Sequence, residues 1–267
     1  MAIVTLLGQH VTRTFGEGVR RVTVLDDVSL DIRRGEFVLL MGPSGSGKST
    51  LMAVLSGLLR PNAGRVLALG EDLWAMSEEE REHFRLRHSS FIFQGYDLFP
   101  ALTAREQLEI VLRWGEGTGA HEARERADKA LALMSLTGKG HLRPCHLSGG
   151  ERQRVAVARA LVKKPTFCFA DEPTGALDWA NGRRVIELLH GAAHDEGASV
   201  LVVAHDERII PYADRLYYME NGRLGRFESR ELPARPTVGS GAGRIRHPGA
   251  LRTENDESNR LTPDFAI

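Results

Sequence analysis

An α/β fold built on buried parallel strands is the fold class that three stretches of this sequence predict. The first is the apolar run Phe37–Met41, which leads through a glycine- and serine-rich loop into the helix-like apolar run Leu51–Leu59. The second and third are Thr166–Ala170, ending at Asp171 and Glu172, and Ser199–Ala204, ending at His205 and Asp206. Short continuous apolar runs bounded by turn residues fit buried strands. Ligands of such sheets collect at the carboxyl ends of the strands, where the loop, the acidic pair and the histidine all stand.

The loop reads Gly42, Pro43, Ser44, Gly45, Ser46, Gly47, Lys48, Ser49, Thr50. Strand, G-x-x-x-x-G-K-[ST] and helix in that order make a phosphate site. Glycines and serines leave the backbone bare, so several N–H groups can turn on one anion, and the helix behind them adds about half a positive charge. Lys48 is expected to reach the β- and γ-phosphates, and the Ser49 hydroxyl to take one position on Mg²⁺, an ion that prefers oxygen. A nucleoside triphosphate with Mg²⁺ is therefore the expected ligand.

Composition narrows the class. At 267 residues and 42% hydrophobic content the chain can bury a full core. Lys plus Arg equals Asp plus Glu at 35 each, which argues against a basic nucleic-acid footprint, so no nucleic-acid partner is expected. Cys145 and Cys168 are too few and too far apart for a disulfide framework or a zinc cluster, and fit a reducing, cytosolic setting. Met1–Gln9 lacks the features of a secretory signal, and no stretch approaches about 18 uninterrupted apolar residues, so the chain is not expected to cross a membrane by itself.

In chain order, Ile3–Leu7 and Val22–Ile32 read as strands, with Phe15 between them in a flexible stretch followed by Gly16-Glu17-Gly18. Phe15 is either a core residue at a strand end or a ring free to stack on a base. Pro61–Gly64 is a turn, Arg65–Leu69 a short strand, and Ser77 with Glu80 has the spacing of a capping box. Phe91-Ile92-Phe93 ends at Gln94. From Leu102 to Thr137 the pattern turns helical: Ala123, Ala127, Ala130, Leu131 and Met134 share a face, opposite Glu122–Arg126 and Glu125–Lys129 pairs. An inserted helical subdomain over about 86–160 is the expectation.

A second anion site is predicted at Leu147-Ser148-Gly149-Gly150-Glu151-Arg152-Gln153-Arg154 before the apolar helix Val155–Val162. Ser148 and Glu151 have capping-box spacing, which accounts for a helix start. It does not account for the two glycines, each costing about 1 kcal/mol there relative to Ala. Their benefit is close access for a second phosphate contact. Two chains head to tail, each phosphate loop facing the other's Ser148, is the natural solution.

The phosphate loop, LSGGERQR and an apolar strand ending in Asp171-Glu172 together resemble the ATP-binding cassette ATPases. The resemblance implies a P-loop NTPase, RecA-like α/β core with an N-terminal antiparallel β-subdomain and the helical insertion, within an ATP-binding domain over 1–230. It also implies a homodimer closed around ATP. By the same likeness Asp171 holds Mg²⁺, with Ser49 and Gln94, while Glu172 orients or deprotonates the attacking water. Gln94 and His205 match the residues that sense metal, water and γ-phosphate; Asp178, after Gly175-Ala176-Leu177, is expected to touch the partner subunit, and Phe15 to stack on adenine. Trp179, His146 and Ala204 depart from the usual residues, though none removes a catalytic group. No N-K-x-D guanine motif is present.

Gly35-Glu36-Phe37, Phe91–Gln94 with Leu98–Thr103, and Ala170–Asp178 look most like the lipoprotein-release, macrolide-export and heterocyst-type exporter ATPases. The expectation is therefore a peripheral subunit on the cytoplasmic side of the inner membrane, working with an integral permease of few spans and a periplasmic adaptor, and extruding a lipid, lipoprotein or drug-like substrate. The alternative is a regulatory ATPase that controls a membrane-coupled cell-wall hydrolase without cargo. One phosphate loop argues against a two-cassette translation factor, and under 100 residues between Thr50 and Leu147 against a coiled-coil DNA-repair ATPase. Beyond about residue 231, Pro233, Pro236, Gly239, Gly241, Gly243 and Pro248 suggest a disordered tail ending in Phe265-Ala266-Ile267.

Overall fold

The phosphate loop leaves a sheet whose two faces carry separate cores. In the computed structural model, which describes residues 3–226, chain order begins with β1 (Val4–Phe15), β2 (Val22–Arg33), β3 (Phe37–Met41), α1 (Lys48–Leu55), β4 (Ala63–Ala68) and β5 (Glu71–Asp72). It continues through α2 (Glu78–His88), β6 (Ser89–Ile92), α3 (Ala104–Glu116), α4 (Ala120–Leu133), α5 (Gly149–Leu161) and β7 (Phe167–Asp171). It ends with α6 (Trp179–His194), β8 (Ser199–Val203), β9 (Arg215–Glu220) and β10 (Arg223–Arg226). The expected tail, 231–267, and its last three residues lie outside the described residues.

The core sheet runs β10-β9-β3-β8-β7-β6, parallel except for β10. All five residues of β3 and of β8 are buried, as expected for strands covered on both faces. Strand alternation sorts them: Phe37, Leu39, Cys168, Ala170, Val200 and Val202 join one core with α3 to α6, while Val38, Leu40, Phe167, Phe169, Leu201 and Val203 join the other with α1 and β1, β2 and β4. Each such aliphatic side chain contributes about 1.5–3 kcal/mol by burial, and Leu39→Ala in the middle of β3 would cost about 2–5 kcal/mol. A four-stranded antiparallel sheet, β2-β1-β4-β5, covers the α1 side.

Three expectations change here. β1 continues without a break to Phe15, whose partner is Val22, so Phe15 ends a strand instead of lying in a flexible stretch. Cross-strand pairing holds it there, which the local sequence does not display. Ser89–Ile92, inside the span assigned to the helical subdomain, is the edge strand of the core sheet and pairs with Phe167–Ala170. The insertion therefore starts beyond Ile92. Its α4 buries Ala123, Ala127 and Leu131, with Met134 just beyond, as the spacing predicts; Arg126 makes the predicted i, i+4 pair with Glu122 at 3.8 Å and a closer one with Glu116 at 2.6 Å, whereas Glu125 pairs with His121 at 3.9 Å in place of Lys129.

The phosphate loop rests on the hairpin β9–β10. Its turn, Asn221-Gly222, has φ of 51° and 76°, the left-handed pair that suits a two-residue hairpin. Gly222 N donates to Ser46 O at 3.1 Å, and its own carbonyl accepts from Asp26 N at 2.9 Å. A Cβ on Gly42 would come within 2.0 Å of Met219 O, so only glycine lets the loop approach β9.

Candidate active site

Gly47, with φ of 104°, caps α1 without any side-chain hydrogen bond. The N–H groups of the first turn are thereby left for a ligand, at the end of the helix where partial positive charge collects. A Cβ at Gly47 would meet Val24 O at 2.7 Å, while one at Gly45 would meet nothing within 4 Å. Lys48 is buried, its Nζ donating to the carbonyls of Gly42 (2.9 Å) and Pro43 (2.8 Å), with Ser46 Oγ at 3.5 Å. The loop thus holds its own cation over the place where anionic oxygens would sit.

Ser44, Gly45, Gly47, Lys48, Ser49 and Thr50 line a cleft of about 330 Å³, closed on the other side by Gln94, Asp171, Glu172 and His205. Three depressions elsewhere among the described residues are larger, two grooves of about 430 and 420 Å³ with mostly apolar walls and one of about 380 Å³ beside Gln9, His10, Gly64 and Arg65, but only the smaller cleft gathers a lysine, hydroxyls, carboxylates and a histidine. Asp171 ends β7, opposite Val203 of β8. Glu172 follows with φ of 50°, unusual for a side chain of that size, and its N–H is tied to Val203 O at 2.9 Å. This conformation turns the carboxylate toward the cleft, where Oε1 lies 2.6 Å from His205 Nδ1. Burial pushes the Glu172 carboxyl above its ordinary range, opposed by His205 and Lys48 and reinforced by Asp171. A carboxylate raised by burial and set beside an imidazole in a polar cleft suits a general base.

Among the described residues no group of three or more His, Cys, Asp or Glu is placed to hold a metal. An ion in this cleft would need a hydroxyl, an amide oxygen and one carboxylate, together with ligand phosphates. Ser49, Gln94 and Asp171 offer that all-oxygen set on one cleft, which fits Mg²⁺.

The second predicted anion site lies outside this cleft. Ser148 caps α5 with a complete capping box: Ser148 Oγ accepts from Glu151 N at 3.3 Å, and Glu151 Oε2 accepts from Ser148 N at 2.8 Å. Glu151 also pairs with Lys139, and these contacts hold its carboxyl down from 4.5 to about 2, the Lys139 hydrogen bond contributing most. The box leaves the N–H groups of Gly149 and Gly150 to be used otherwise. Asp178 caps α6, accepting from Asn181 N at 3.0 Å and Asn181 Nδ2 at 2.7 Å. Phe15 is 41% exposed with the Arg13 guanidinium 4.7 Å from its ring. It sits opposite Val22 at the end of the β1–β2 pair and is not among the residues lining the cleft.

Three positioning contacts have no local sequence signal. Buried Gln153 of α5 donates to Pro173 O at 2.9 Å, immediately behind Glu172. Arg159, two turns on, donates to the carbonyls of Tyr96 (3.2 Å) and Asp97 (2.5 Å), in the left-handed turn after Gln94. One helix therefore braces both walls of the cleft. Val24 is the third, reaching the phosphate loop from β2 through tertiary packing alone.

Residues 25–175 match the family described as ABC transporter. The macrolide export ATP-binding/permease protein MacB of Brucella melitensis biotype 1 is 43% identical over 216 residues, 81% of this chain and 33% of MacB. This chain therefore spans about a third of the length of that relative. The lipoprotein-releasing system ATP-binding protein LolD of Chromohalobacter salexigens is 41% identical over 81% of this chain and 91% of its own. The putative hemin import ATP-binding protein HrtA of Staphylococcus haemolyticus is 39% identical over 81% and 97%. Among solved structures, the dimeric post-hydrolysis state of the ATP-binding cassette MJ0796 bound to ADP and Pi superposes with a TM-score of 0.79 at 35% identity, covering 83% of this chain and 97% of that one.

Proposed function

The chain belongs to the ABC transporter family and is an ATPase of the cassette type, and from that premise we propose that two copies close head to tail on two ATP molecules to drive a separate membrane permease. The observation that carries the hydrolytic part is the convergence of Lys48, Ser49, Gln94, Asp171, Glu172 and His205 on one polar cleft. In this reading Lys48 exchanges its loop carbonyls for the β- and γ-phosphate oxygens of ATP. Glu172 takes a proton from water as the oxygen bonds to the γ-phosphorus and the bridging bond to ADP breaks. His205 holds the Glu172 carboxylate on one side and reaches the γ-phosphate on the other. Ser49, Gln94 and Asp171 would hold Mg²⁺, which, when bound, neutralises charge on the β- and γ-oxygens. Phe15 covers the adenine. Ser148, with the free N–H groups of Gly149 and Gly150, completes the site on the partner's nucleotide, and Asp178 meets the partner subunit alongside.

Among the described residues no helix is long and apolar enough to cross a membrane. A groove of about 420 Å³ beside the Gln94 loop supports docking of a helix from the permease: Phe93, Phe99, Ile110 and Trp114 line it, with Trp114 74% and Phe99 55% exposed. The proposed setting is the cytoplasmic face of the inner membrane, and the cargo a lipid, lipoprotein or drug-like molecule selected by the membrane subunit. Glu172→Gln is expected to retain ATP and to hydrolyse it at least about 100-fold more slowly. Trapped with ATP on native membranes and then solubilised, it should bring down a membrane protein of few spans, and adding Trp114→Glu should lose that protein while ATP stays bound. Parent-like hydrolysis by Glu172→Gln would remove the catalytic reading; a trapped complex without any membrane protein would remove the transport one.

A further inference from the structure

Trp179 opens α6 directly after Asp178 and is half-buried. The Arg208 guanidinium lies 4.3 Å from its ring centroid. That guanidinium grips Asp206 at the same time, with Nε 2.9 and 3.1 Å from the two carboxylate oxygens and Nη2 2.7 Å from Oδ2. Asp206 in turn accepts from Arg208 N at 3.0 Å, closing the turn that follows His205, and His205 Nδ1 stands 2.6 Å from Glu172. Arg208 is 58% exposed, and an ion pair that open to solvent is worth little alone. A bidentate fork laid on an aromatic face is better defined, because the ring removes freedom from the guanidinium and attracts its charge.

We propose that Trp179 is a positioning residue for hydrolysis: through Arg208 and Asp206 it fixes the turn bearing His205 against Glu172 and ties that turn to the Asp178 segment. The inference rests on the hydrolytic roles given to Glu172 and His205. It gives a purpose to Trp179, one of the three residues that depart from the cassette pattern, because a side chain without a ring at position 179 offers no face for Arg208.

Steady-state ATPase measurements on Trp179→Leu, Trp179→Phe and Arg208→Gln, with equilibrium ATP binding alongside, test it. Trp179→Leu and Arg208→Gln should each lower kcat about two- to five-fold, the scale of one such contact, while KM and the ATP dissociation constant stay unchanged. Trp179→Phe, which keeps a π face, should retain most of the rate. A double variant carrying both Trp179→Leu and Arg208→Gln should be no worse than either alone, as for two halves of one interaction. Arg208→Gln leaves α6 untouched, so it reads the contact even where Trp179→Leu folds poorly. Parent kcat in Arg208→Gln, losses that add in the double variant, or an equal fall in Trp179→Phe would overturn the proposal. A His205→Ala protein that hydrolyses at the parent rate would instead remove its premise, so the two failures are distinguishable.

Discussion

The starts of α1 and α5, the two phosphate contacts proposed for this chain, are built differently: one is left open and the other closes on itself. At α1, glycine stands at the cap and contributes no side chain, so its donors face the cleft. At α5, Ser148 and Glu151 satisfy each other, and Lys139 fastens the pair. A site that binds within one chain must be bare before the ligand arrives. A site that acts on a neighbour's ligand has to keep its shape while waiting, and the capping box supplies that shape while reserving the glycine N–H groups and the Ser148 O–H proton. On the proposed reading this accounts for Gly149 and Gly150, which helix propensity alone disfavours.

Filling the open start should break the contrast most strongly. Gly47→Ser puts a Cβ 2.7 Å from Val24 O at a φ of 104°, so ATP affinity is expected to fall at least about 100-fold in equilibrium binding; parent-like affinity would show that the bare cap is not what admits the phosphates. A smaller effect is expected at the closed start. Ser148→Ala should cost about 1 kcal/mol in denaturant unfolding by loss of the cap. It should leave ATP binding to a single chain intact and slow hydrolysis by the dimer about ten-fold or more.

The smallest effect is one of pH. Glu151 is held low, so its contribution is present above its ordinary 4.5 and disappears as pH falls through about 2. Because the pair with Lys139 is open to solvent, Lys139→Met should cost no more than a few tenths of a kcal/mol, visible above pH 4.5 and gone near pH 2 in acid-unfolding curves. Glu172 has the opposite sign. Its raised carboxyl contributes to stability at low pH and ceases to as pH rises through its folded value, so Glu172→Gln should resist unfolding slightly better than the parent at neutral pH.

What the sequence made legible follows the range of the interactions involved. The phosphate loop, the β7 terminus and the boxes at Ser77 and Ser148 are local, none needing a partner from elsewhere in the chain, and each is found where the spacing puts it. Helix α6 is readable too, from an Asp178 cap and Val185, Ile186, Leu189, Ala192 and Ala193 on one face, although the loop motif at its start is the more conspicuous signal. The hairpin β9–β10 likewise carries its own signal in Asn221-Gly222 between alternating residues. Phe15 and the Ser89–Ile92 strand are different, because their placement depends on partners elsewhere in the chain: Val22, and Phe167–Ala170. The same holds for Gln153 and Arg159, polar side chains of α5 whose acceptors are fixed by packing and by no spacing within their own segment, and for the contact of Arg208 with the Trp179 ring.

The Asn221-Gly222 turn, wedged between Ser46 and Asp26, makes the end of the cassette a foundation for its beginning. A chain cut just ahead of Gly222 would keep every nucleotide-handling motif and still lose the floor beneath its phosphate cradle. Ribosomal synthesis runs into the same constraint, since the cradle emerges well before its support, so competence to grip ATP should wait for the hairpin and come all at once.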